Sequence, residues 1–102
     1  MSLEAEFTQA LEGTIEAARK RGYVPTYFMQ MLAEHGGVET AKRLLGKSEP
    51  QTGLFELWQL DLLHESMEAV VLLEKFRLLF TEVELTEARR RLEELGYFKE
   101  GK

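Results

Sequence analysis

The side chains able to do chemistry are few in these 102 residues, and most have a simpler use. His64 and Glu68 stand four apart, the spacing two metal ligands take on one helix face. Ser66 reads as a helix start between them, which breaks that face, and two histidines without a cysteine make a weak metal set. Neither a metal nor a cofactor is expected. His35 stands alone beside Gly36-Gly37, and those glycines lack the G-x-x-x-x-G-K spacing and the preceding strand of a phosphate loop. The hydroxyls of Ser48, Ser66 and Thr81 fall in loops and caps, with no base and orienter to converge on them. With no cysteine, thiolate nucleophiles, disulfides and thiolate-held metals are excluded. The chain reads as a non-enzyme.

Residues 31–45, MLAEHGGVETAKRLL, outline a helix-turn-helix. A DNA-reading version needs a second helix whose outer face meets phosphates and base edges. With Gly37 at the turn, Val38, Ala41, Leu44 and Leu45 go inward. Thr40, Lys42, Arg43 and Lys47, together with Glu39, are then the outward candidates. Charge argues against DNA. Residues 22–53 hold three acids (Glu34, Glu39, Glu49) against three bases (Lys42, Arg43, Lys47), and the chain carries −5 overall, so few counterions could be released. The segment is therefore read first as a structural corner, with a DNA-binding helix-turn-helix as the alternative. Arg89-Arg90-Arg91 is the densest basic run, but consecutive helical residues point about 100° apart and cannot form one grip. Pairing Glu87 with Arg91, Glu93 with Arg89 and Glu94 with Arg90 makes this a solvated, ion-paired face.

The elements that must position these residues are helical. Leu3, Phe7, Leu11, Ile15 and Ala18 form one apolar stripe from Ser2, a cap, to Gly22, a stop, with Gly13 as the weak point. Pro25 suits the first turn of a second helix burying Tyr27, Phe28, Met31 and Leu32. A short third helix runs from Val38 to Gly46. Residues 47–53, KSEPQTG, read as a polar loop. Ser66 caps a helix MEAVVLLEKF, apolar on nearly every side and so central. Thr81 and Glu84 form a capping box for a last helix burying Leu85, Ala88, Leu92 and Leu95 and ending at Gly96, with Phe80 stapled onto Leu85. No segment alternates with period two. The expected fold is all-α: a single domain over 1–102, a compact bundle of about five to seven helices with long helices at both termini.

The opening residues are acidic, unlike a signal peptide, and the longest apolar run, 69–73, is far short of a membrane span. A soluble, cytoplasmic protein without membrane contact is expected. Asn is absent and Asp occurs only at Asp61, a composition that thermophile proteins often show.

Residues 54–63 crowd seven large apolar side chains into ten positions, more than one face of a short helix can hold. Phe55, Trp58 and Leu62 are the candidates for an exposed patch that meets an unidentified protein partner or a second copy of the chain. The order Tyr27-Phe28, Met31, Gly37, Ala41, Leu44-Leu45, Gly53, Leu57-Trp58, Ser66, Glu68, Phe76, Leu79-Phe80-Thr81, Glu84, Ala88, Leu92 and Gly96-Tyr97 resembles a bacterial all-helical module without an established activity. That module looks like one found alone and as a tail of larger proteins. The resemblance covers about residues 23 to 97 and departs where the module has a proline and this chain has Glu74 or Lys75. It implies an accessory or interaction role.

Overall fold

A computed structural model describes residues 2–47 and 52–98. Six α-helices succeed one another in them: α1 (Leu3–Lys20), α2 (Thr26–His35), α3 (Gly37–Leu45), α4 (Thr52–Gln59), α5 (Met67–Val71) and α6 (Glu82–Glu94). Two 3-10 turns, Leu63–Glu65 and Glu74–Leu79, lie either side of α5. The expected all-α architecture is present, with helices of 18 and 13 residues first and last.

Ser2 starts α1 by accepting the Ala5 N–H at 3.0 Å, and Phe7, Leu11, Ile15 and Ala18 are buried as their spacing requires. Phe7 is the hub of the core. The rings of Phe76 and Phe80 both meet it edge-on, with centroids 5.2 Å away in each case. Reaching that arrangement shortens the helix expected after Ser66. Ser66 does cap α5, its hydroxyl accepting from the Ala69 N–H, but Leu73 turns extended and the chain continues as a 3-10 turn that carries Phe76 inward.

Three helices end in the same way. At α1, the N–H groups of Gly22 and Tyr23 return to the carbonyls of Arg19 and Ala18. At α6, Gly96 and Tyr97 return to Glu93 and Leu92. At α4 the left-handed position is Asp61, with φ +62°, a conformation glycine takes without strain and other residues seldom do. Asp61 donates to Trp58 and Leu62 to Leu57. The hydrophobic contacts that accompany such closures merge: Ala18, Leu57, Leu62 and Tyr23 form one cluster that joins the ends of α1 and α4.

The corner between α2 and α3 uses its two glycines differently. Gly36 has φ +81° and ψ 170°, a combination nearly closed to other residues, and serves as the cap of both helices. Gly37 sits against α1, donating its N–H to the Thr8 hydroxyl at 3.0 Å. A Cβ there would lie 2.7 Å from Thr8 Oγ1 and 2.8 Å from Thr8 Cα. Pro25 stands one position earlier than expected, as the cap of α2, and Tyr27, expected inside, is exposed, while Met31 and Leu32 are the buried residues of that helix.

The glycines of α1 and α3 therefore respond to alanine with opposite signs. Gly37→Ala should cost about 1–3 kcal/mol through overpacking against backbone. Gly13→Ala, where nothing lies within 4 Å, should gain about 0.5–1 kcal/mol. Urea unfolding of the two variants beside the parent checks both.

Candidate functional site

The polar interior centres on α6. Arg91 and Glu68 are only 6% and 3% exposed. Arg91 Nη1 donates to Glu68 Oε2 at 3.1 Å and its Nε to Glu87 Oε2 at 2.7 Å. Its Nη2 reaches the carbonyls of Leu44 at 2.9 Å and Lys47 at 3.0 Å. The guanidinium thus satisfies carbonyls at the end of α3 that no helical turn follows. Burial pushes the Glu68 carboxyl above the usual carboxylate range, against the pull of Arg91.

Sequence spacing identifies the Glu87–Arg91 pair but treats all three arginines as a solvated face, and for Arg91 the structure corrects this. Arg91 lies three residues after Ala88 and four before Leu95, inside the apolar stripe of α6. That position was the available signal. Arg90 stays on the surface and pairs with Glu87 and Glu94. Arg89 lies over the Phe98 ring, 4.9 Å from its centroid.

Glu68 also borders a cavity of about 400 Å³ between α1, α2, α4 and α5. Its walls are mainly apolar, from Ala18, Phe28, Leu44, Leu54, Leu57 and Met67. Tyr23, Tyr27 and Lys47 contribute polar atoms, and Lys47 Nζ donates to the Tyr27 hydroxyl at 3.2 Å. Burial, then the nearby Glu56 carboxylate, raises the Tyr23 phenol.

Of the three aromatic and aliphatic candidates on the 54–63 segment, two are at the surface. Phe55 is 46% and Trp58 43% exposed, their rings 5.2 Å apart between centroids and tilted by 31°. Leu62 is not part of this patch. It is 8% exposed, because the left-handed turn at Asp61 ends the helical phase that would have aligned it with Phe55 and Trp58. A groove of about 320 Å³ adjoins the indole, with Asp61, His64 and Tyr97 along it.

The four residues of the helix-turn-helix alternative are each buried or paired within the chain. Thr40 is wholly buried, since it shares the inward stripe of Gly37, Ala41 and Leu44 on α3. Its hydroxyl has no hydrogen-bond partner. Lys42 pairs with Glu84 at 2.8 Å and lies over the Phe80 ring, Arg43 pairs with Glu39 at 2.9 Å, and Lys47 is turned to Tyr27. Val38, expected inside, is half-buried.

The remaining candidates fall elsewhere. His64 is exposed near Glu65 while Glu68 is held by Arg91, so the i,i+4 pair is not assembled. Among the described residues no three metal-ligating side chains come together. The Ser66 and Thr81 hydroxyls are occupied in caps, and Ser48 lies outside the described residues. No described helix is long and apolar enough to cross a membrane.

Two measurements follow from this polar network. Thr40→Val replaces an unpartnered hydroxyl by a methyl and should raise stability by about 1 kcal/mol, read as a higher urea midpoint at unchanged slope. The second concerns acid. The hydrogen bond from Arg90, opposed by slight burial and aided by Arg91, holds the Glu87 carboxyl down at about 2, against 4.5 for a free glutamate. At Glu84, partial burial is outweighed by hydrogen bonds from Lys42 and Thr81, and its value is lowered too. A lowered carboxyl stabilises the fold above its unfolded value and loses that contribution as pH falls through its folded value. Glu68, raised, acts in the opposite sense: acid relieves its burial. The stability gap between the parent and Glu87→Gln should be open at pH 7 and close between pH 4.5 and about 2.

The chain matches no family model, no curated protein and no solved structure.

Proposed function

We propose that the protein is an interaction or accessory module that works by binding another protein through the outer face of α4. The observation that carries this reading is the exposed pair Phe55–Trp58, whose tilted rings lie side by side. Buried aromatic anchors dominate the energetics of most protein interfaces, tryptophan above all, and polar groups around them form the rim. Asp61, His64 and Tyr97 are placed to supply that rim beside Trp58. The resemblance to a bacterial module found alone or as a tail of larger proteins supports an accessory role, and a chain without cysteine suits the cytoplasm. DNA binding gains no support from Thr40, Lys42, Arg43 and Lys47, each buried or already engaged.

A second copy of the chain is the first partner to test. Sedimentation velocity across a concentration series should show a monomer–dimer shift that Phe55→Ser with Trp58→Ser abolishes. Trp58 emission should be red and iodide-quenched in the monomer, and bluer and shielded in the dimer. A monomer at every concentration would exclude self-association. Blue, shielded emission from the monomer would remove the patch itself.

A further inference from the structure

The cavity between α1, α2, α4 and α5 is within the size range of small-molecule sites, and its polar groups are few and unevenly placed. Glu68 supplies the buried charge, and Lys47, half-buried, has its ammonium drawn onto Tyr27. Arg91 does not belong to Glu68 alone. It also pairs with Glu87, so the one buried guanidinium is shared between two carboxylates. Arg91 also spends Nη2 on the carbonyls of Leu44 and Lys47. Burial raises the Glu68 carboxyl in spite of Arg91, which agrees with incomplete compensation.

A second cation able to tolerate an apolar surround would complete the compensation of Glu68. Tyr23, Tyr27 and Phe28 line the same space, and aromatic ring faces attract organic cations. We propose that this cavity binds a small organic amine, its apolar body against Phe28, Leu57 and Met67 and its ammonium donating to the Glu68 carboxylate. An anionic ligand of the same shape would place a second negative charge beside Glu68 and raise its carboxyl further. A neutral one would fill the volume and leave Glu68 dependent on the shared guanidinium.

The test uses three probes of similar shape, 2-phenylethylamine, 2-phenylethanol and 3-phenylpropionate, titrated into the full chain at pH 7 and followed by amide chemical shifts. The amine should bind at least about tenfold more tightly than the alcohol, and the acid more weakly than both, with shifts centred on Tyr23, Leu57 and Met67. Glu68→Gln should erase the preference for amine over alcohol while the alcohol still binds. Should that variant not fold, Lys47→Met decides independently: removing a like charge should tighten amine binding and leave the alcohol unchanged. Equal binding of amine and alcohol, tighter binding of the acid, weaker amine binding in Lys47→Met, or no binding of any probe at millimolar concentration would each overturn the proposal.

Discussion

One guanidinium holds the interior of this fold in place. Taking a charge out of water costs several kcal/mol, and a buried ion pair offsets this only when geometry is good and the remaining donors are satisfied. Arg91 meets that condition on every side, with two carboxylates and the carbonyls that end α3. Those carbonyls carry the negative end of the α3 dipole, so the positive charge is favoured there before any carboxylate is counted. The same residue fixes where Glu68 stands beside the cavity and where the backbone leaves α3 at Lys47. Removal of either partner would strand a charge in the interior.

What the amino-acid order makes legible is local. Gly22 and Gly96 stop their helices, Thr81 and Glu84 box the start of α6, and the stripe from Phe7 to Ala18 buries, because each depends on residues within about one turn. Phe55 and Trp58 were identified by a similar counting argument, that too many large side chains crowd one short helix to be hidden together. The outcomes that escaped are those settled by residues far apart. Glu68 and Arg91 lie 23 positions apart, and neither spacing rule connects them.

Two errors have particular physical sources. Leu62 was placed by helical phase, and the phase ended at a left-handed aspartate, a residue less often found in that conformation than glycine. Thr40 was placed outward because it is polar, yet it sits where Gly37, Ala41 and Leu44 define the inward face. Position outweighed polarity there, at the expense of an unpaired hydroxyl. The corner of residues 31–45 has a structural use for a related reason. Its glycines are consumed by a closed backbone region at Gly36 and by contact with α1 at Gly37, and its outer cations are tied to neighbouring acids and a phenol.

The Glu84 carboxylate, which completes the capping box of α6, is also the partner of Lys42. Together with Arg91 it fastens α6 to α3 at two places about two turns apart. A single attachment would let one helix pivot on the other; two, offset along the axis, oppose that motion. Leu44, which walls the cavity, gives its carbonyl to the guanidinium that faces Glu68, so a shift of that wall bears directly on the charged network.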